Sequence, residues 1–203
     1  MKSQRRLGNE SARNRAILIE AAEQLLCEEG YGAITARKVA NKAGLKMPLV
    51  YYYFETMDDL IKEVIRKNAA RRLKRFVRAL ASASPLQALW KLNRDHSSAI
   101  SATELIALAN HREAIRTEAV AAAKQFRTLQ IEAVDRLFAE KGVDRDVCPP
   151  AAIVAMVTAL TRAMAQDTAL GVTEGYAEAI DLIERGLALL AGNPAPSKTD
   201  DQD

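Results

Sequence analysis

Between Gly30 and Phe54 the chain holds Arg37, Lys38, Lys42 and Lys46 but no Asp or Glu. Cations without intervening acids suit a surface that faces phosphates, because each one can displace a counterion condensed on a nucleic acid. A solvated face that happens to lack acids is the other reading of the same run. The segment closes on Tyr51-Tyr52-Tyr53-Phe54. Three consecutive tyrosines on a short helix point in three directions, so they cannot all be buried. At least Tyr51 is expected to face a partner, while Phe54 reads as core.

Other chemistries find little support. His96 and His111 are far apart and lack metal-ligand spacing, and the chain has neither a phosphate-cradling glycine loop nor a nucleophile elbow. Each histidine reads as polar packing or surface, with His96 near Trp90 alternatively facing a cavity. The expectation is therefore no enzyme, no cofactor and no metal. Cys27 and Cys148 lack C-x-x-C spacing and are too few for a secreted disulfide framework, so both are expected as free thiols in a reducing compartment. No apolar run approaches the ~20 residues of a membrane span, and the N-terminal region is polar and basic without an apolar signal core. A cytoplasmic protein with no membrane partner is expected.

The elements that must position these residues are helical. Across 203 residues with 5% aromatics, composition leans on Ala, Leu, Glu, Lys and Arg, with few Gly or Pro. Ile17, Leu18, Ala21, Ala22, Leu25 and Leu26 form one apolar helix face that Gly30 stops. Thr35 can cap a short second helix facing inward through Val39, Ala40 and Ala43, and Gly44 supplies the left-handed residue that ends it. Pro48 suits the first position of a third helix, from which Val50 and Phe54 face inward. Three short helices with a glycine-containing turn between the second and third make a helix-turn-helix.

Beyond it, Thr56 and Asp59 have capping-box spacing and open a long fourth helix. From Lys62 onward that helix carries Lys62, Arg66, Lys67, Arg71, Arg72, Lys74, Arg75 and Arg78 against Glu63 alone. Its cations read as a solvated face or as a second contact with DNA or a membrane surface. Ser84-Pro85 opens a helix carrying Leu86, Leu89, Trp90 and Ile100, and a short segment follows over Glu104 to Asn110. Longer helices span about Glu113 to Lys141 and Pro149-Pro150 to Leu170, with a last one over Glu174 to Ala191. The eighth helix presents Ile153, Val154, Met156, Val157, Leu160 and Met164 around more of its circumference than one core can bury. Gly186, inside the ninth, costs ~1 kcal/mol relative to Ala unless backbones approach closely. Both features point to a homodimer through the last two helices.

The stretch from Thr35 to Phe54, TARKVANKAGLKMPLVYYYF, resembles the DNA-binding signature of the TetR family of transcriptional regulators. The helix-one face, the Gly30-Tyr31 break and Asp58-Asp59-Leu60 also fit, so the resemblance covers about the first third of the chain. It implies that Thr35 caps helix two and bonds a phosphate and that Arg37 reaches a base edge. It further implies that Met47, Pro48 and Leu49 present the front of the recognition helix to the major groove and that Tyr51 and Tyr53 bond phosphates. Two positions depart from the family pattern. Lys46 stands where Ser is frequent, placing a charge near the groove, and Met57 replaces a phosphate-binding Lys.

The resulting expectation is all-α, with about nine helices: an N-terminal three-helix domain joined by a long helix to a C-terminal helical bundle. Residues 1–12 form a flexible basic arm, 13–56 the helix-turn-helix domain, 57–192 a ligand-binding and dimerisation domain, and 193–203 a disordered tail. By family analogy the protein is a repressor that binds a palindromic double-stranded DNA operator as a homodimer. It is released by an unknown small-molecule effector, near which Trp90, Phe126 and Met164 are guessed to lie. The alternative is a helical small-molecule-binding or enzymatic bundle whose helix-turn-helix no longer binds DNA.

Overall fold

The computed structural model describes residues 2–95 and 99–190, with side chains for 10–95 and 103–190. His96 and the expected tail, 193–203, lie outside the described residues. Nine α-helices and no strand occur among them: α1 (Lys2–Glu29), α2 (Ala36–Ala43), α3 (Pro48–Tyr53), α4 (Met57–Leu80), α5 (Pro85–Arg94), α6 (Ala99–Ala109), α7 (Glu113–Glu140), α8 (Pro150–Ala169) and α9 (Tyr176–Leu190). A 3-10 turn, Tyr31–Ala33, separates α1 from α2. The first helix starts at Lys2, so the backbone of residues 2–12, expected as a flexible arm, is helical. No proline lies in that stretch to stop the helix. Ile100, expected in the fifth helix, belongs to α6, because α5 ends where Asp95 turns to an extended conformation.

The helices form two compact units that do not follow a division at 56/57. One unit holds α1, α2, α3, α4 to Arg72, α6, and α7 to Phe126; the other holds Leu73–Leu80 of α4, α5, α7 from Arg127, α8 and α9.

The first unit is built on the apolar stripe of α1. Leu18, Ala22 and Leu25 pack with Val39 and Ala40 of α2, Val50 of α3, Phe54, and Leu60 and Val64 of α4. Adjacent positions on α4, Ile61 and Ile65, instead join Leu108 of α6 and Ile115 of α7. The wide apolar stripe of α4 thus serves two clusters at once, which holds α6 and α7 to the same helix that closes the helix-turn-helix.

The cations of α4 in this unit are engaged across it. Lys67 reaches Glu20 at 2.8 Å and Glu23 at 3.0 Å, Arg71 reaches Glu23 at 2.8 Å, and Arg66 reaches Glu118 at 2.8 Å and Glu63 at 2.9 Å. Burial pulls the Lys67 amine down, but the Glu20 and Glu23 carboxylates outweigh it and hold it above its usual range. Neither a simply solvated face nor a free contact surface describes these three side chains.

In the second unit Val134 and Phe138 of α7 pack with Val154 of α8, and Leu86 of α5 adds to the cluster. Helix α9 contributes no buried residue. It is tied to α5 through Glu184, whose Oε1 accepts hydrogen bonds from Trp90 Nε1 at 3.2 Å and Arg94 Nη1 at 2.6 Å. A Cβ added to Gly186 would meet nothing within 4 Å among the described residues, so the close backbone approach expected there is not made among them.

Helix α4 begins with the expected capping box. The Thr56 amide donates to Asp59 Oδ2 at 3.1 Å, and the Asp59 amide donates to Thr56 Oγ1 at 3.1 Å. The Thr56 hydroxyl, then Lys62, holds the Asp59 carboxyl below its usual range. Thr56→Ala is expected to cost about 1 kcal/mol in urea unfolding at neutral pH. A carboxylate with a depressed folded pKa contributes fully above its unfolded pKa and loses that contribution as pH falls through the folded one. The gap between Thr56→Ala and wild type should therefore narrow when the titration is repeated in acid.

Candidate nucleic-acid interface

Local rules place the helix-turn-helix residues. Thr35, extended at φ −120° and ψ 151°, accepts the Lys38 amide on its hydroxyl at 3.3 Å and so caps α2. Gly44 ends that helix at φ 65°, its amide reaching the carbonyls of Ala40 and Asn41, and the Leu45 amide bonds the Ala40 carbonyl at 2.9 Å. Pro48 occupies the first turn of the six-residue α3. Val50 and Phe54 then anchor α3 in the core, at 0% and 3% exposure.

What remains outside is a mixed cationic, apolar and phenolic surface. Arg37, Lys46, Met47, Pro48 and Tyr51 are exposed, and Leu49 is half-buried. Arg37 and Lys46 have no carboxylate partner among the described residues. Tyr51 is 54% exposed and Tyr52, which sequence reasoning did not single out, is 74% exposed. Tyr53 packs half-buried against the core, with its ring edge-on to Tyr52 at a centroid distance of 4.9 Å. Residue type alone could not rank the three tyrosines; their angular positions relative to Val50 and Phe54 do. Met57 lies against the core cluster, so the residue standing where the family has a phosphate-binding lysine has a packing role instead.

Two of the expected cations are already engaged. Lys38 Nζ lies 2.6 Å from Glu29 Oε2, and Lys42 Nζ pairs with Glu28. The bond from Lys38 holds the Glu29 carboxyl below its usual range. Sequence reasoning missed both pairs, although two acids at the end of α1 were a visible signal.

The three residues guessed to lie near an effector are all buried. Phe126 belongs to the first unit, where the Arg72 guanidinium sits 4.0 Å from its ring centroid. Trp90 and Met164 belong to the second. One surface depression among the described residues is lined by Arg13, Ile17, Glu20, Gln24 and Lys42 with small neighbours and another by Arg75, Arg78, Lys91, Leu92 and Asp95 with small neighbours; the three guessed residues line neither of these. Among the described residues no group of His, Cys, Asp and Glu could hold a metal ion, and no helix is long and apolar enough to cross a membrane. Neither Cys27 nor Cys148 takes part in a disulfide among the described residues.

Residues 18–64 match the family described as bacterial regulatory proteins, tetR family. No curated protein matches the chain. Among solved structures it is similar to a TetR transcription regulator from Haloarcula marismortui, at 16% identity and TM-score 0.69, covering 89% of this chain and 97% of that one. A transcriptional regulator from Saccharomonospora viridis in complex with choline matches at 18% identity and TM-score 0.69, over 79% and 87% of the two chains. The fatty acid degradation regulator FadR from Bacillus halodurans matches at 19% identity and TM-score 0.64, over 79% and 86%. At these identities the likeness carries the fold.

Stability measurements separate the anchoring residues from the presented ones. Phe54→Ala is expected to cost about 3–5 kcal/mol, because it opens a cavity in the core. Arg37→Ala and Tyr51→Phe should each stay within about 0.5 kcal/mol of wild type in the same denaturant titration, as exposed substitutions do.

Proposed function

We propose that this chain, which belongs to the TetR family of transcriptional regulators, binds a two-fold operator as a homodimer, acts as a repressor, and releases DNA when a small molecule binds. The observation that carries the DNA-binding part is the surface around α3. Arg37, Lys46, Met47 and Tyr51 face solvent there, on a scaffold whose own residues from Gly30 to Phe54 include no acid. Arg37 has the two-pronged donor geometry that suits the paired acceptors of guanine, while Met47, Pro48 and Leu49 suit a thymine methyl. A phenol such as that of Tyr51 bonds a phosphate and fixes register without reading sequence.

Dimerisation is supported by what α8 and α9 leave uncovered. Leu182 and Leu189 of α9 and Met156 of α8 are each 66% exposed. Apolar surface of this kind is expected to be buried against a symmetry mate. A second copy would also supply the close approach that Gly186 does not find among the described residues.

Effector control is supported by fold and by the protein from Saccharomonospora viridis, which is described in complex with choline. The effector of the present chain is a small molecule of unassigned chemistry, and mass spectrometry of the purified protein is the direct search for it. A true effector binds free protein more tightly than DNA-bound protein, and operator weakens its binding by the same factor.

Operator binding provides the main test. Arg37→Ala should lose about 1–3 kcal/mol on a selected operator and relax preference at one base pair per half-site, with far less change on unrelated duplex. Tyr51→Phe should weaken binding to all sequences about equally and leave the salt slope of log K unchanged, since a neutral phenol displaces no counterion. If wild type shows no preference among sequences at physiological salt, the chain is instead a helical bundle whose helix-turn-helix no longer reads DNA. For the dimer, Leu182→Glu should convert the sedimentation-equilibrium mass from two chains to one at micromolar concentration; a wild-type monomer would overturn the assignment.

A further inference from the structure

Glu28 and Glu29 occupy the last turn of α1, where the partial negative charge of a helix end disfavours carboxylates, and no basic residue shares that turn. A local rule broken in this way points to a role elsewhere in the fold. Across the α1–α2 contact Glu29 holds Lys38 Nζ at 2.6 Å and Glu28 holds Lys42 Nζ. Those two lysines are four residues apart and therefore share one side of α2. Arg37 and Lys46 hold no such partner among the described residues.

We propose that Glu28 and Glu29 are built-in counter-ions that withhold Lys38 and Lys42 from DNA phosphates, limiting sequence-independent attraction and leaving discrimination to Arg37 and the front of α3. The inference rests on the DNA-binding reading given above. A lysine already holding a carboxylate releases no condensed counterion when a duplex arrives, so it adds nothing to the salt-dependent part of affinity. Exposed ion pairs are individually weak. Here, however, a phosphate that captured either lysine would leave a bare carboxylate facing the polyanion, and that repulsion opposes the exchange. Since non-specific sites compete with the operator throughout a genome, lowering affinity for them raises the useful specificity ratio.

The test uses the full chain and a mixed-sequence duplex, with affinity measured across a salt series after melting curves have been recorded. Glu28→Gln combined with Glu29→Gln should bind this duplex more tightly than wild type. Its salt slope should steepen by about 0.9 per freed lysine, a further loss of about threefold for each between about 50 and about 200 mM salt. A quadruple variant that adds Lys38→Met and Lys42→Met restores the wild-type net charge and should restore the wild-type slope, because both lysines are silent in the parent. If the glutamine pair leaves the slope unchanged, or if the quadruple variant falls below wild type by about 0.9 per lysine, the counter-ion role is overturned. Should the glutamine pair fail to fold, the quadruple variant alone decides between those outcomes. If wild type binds no duplex at all, the DNA-binding reading fails first and the inference falls with it, so the two failures are told apart.

Discussion

A helix of six residues forms too few internal hydrogen bonds to offset the entropy of its own nucleation, so α3 cannot persist in water unaided. It exists because Val50 and Phe54 are seated in a core that α1, α2 and α4 have already built. That dependence governs the whole first unit. The apolar stripe of α1 must be straight and continuous enough to receive three elements. Helix α4 must offer one pair of side chains to that core and another to α6 and α7. Whatever α3 presents outward is then determined by the two positions it surrenders inward.

This division of labour explains why the helix-turn-helix was readable in advance. Thr35, Gly44 and Pro48 each act through backbone geometry confined to a few neighbouring residues, and the apolar positions of α1 follow a simple helical period. Such local signals survive in sequence. The partners of the α4 cations do not, because Lys67 meets Glu20 and Arg66 meets Glu118 across intervals of 47 and 52 residues, and no spacing rule connects them. Tyr51 is exposed as its reading requires, whereas the larger exposure of Tyr52 was beyond reach, since it follows from the rotation of α3 about Val50. The guessed effector neighbours show the opposite weakness: Trp90, Phe126 and Met164 are large and apolar, and such residues serve an ordinary core as readily as a binding cavity. Only a polar group converging on space distinguishes the two.

The acids of α1 give the first unit its electrostatic plan. Glu20 and Glu23 face the cations of α4, while Glu28 and Glu29 face the lysines of α2. The apolar core supplies most of the stability: Lys67 and Glu23 are partly enclosed, but Glu20, Glu28, Glu29 and Lys38 stay open to water, where ion pairs contribute little. Their effect is orientational. The four carboxylates lie along α1 on the sides that α2 and α4 already turn toward it through their apolar residues, so the pairs reinforce that orientation. The acid-free character of the helix-turn-helix segment is a property of its sequence, whereas in space its charge is partly balanced from a neighbouring helix.

The bond between Trp90 and Glu184 gives the second unit an optical property of its own. The chain contains a single tryptophan, and its indole is buried at 4% exposure with the N–H directed to a carboxylate on α9. Indole emission is sensitive both to solvent and to a hydrogen-bonded anion. Helix α9 is also the helix with no buried residue, so Glu184 is one of its few fixed attachments to α5. Any event that reseats α9 therefore changes the colour and intensity of the unlabelled protein's ultraviolet fluorescence, and the molecule carries its own gauge of that motion.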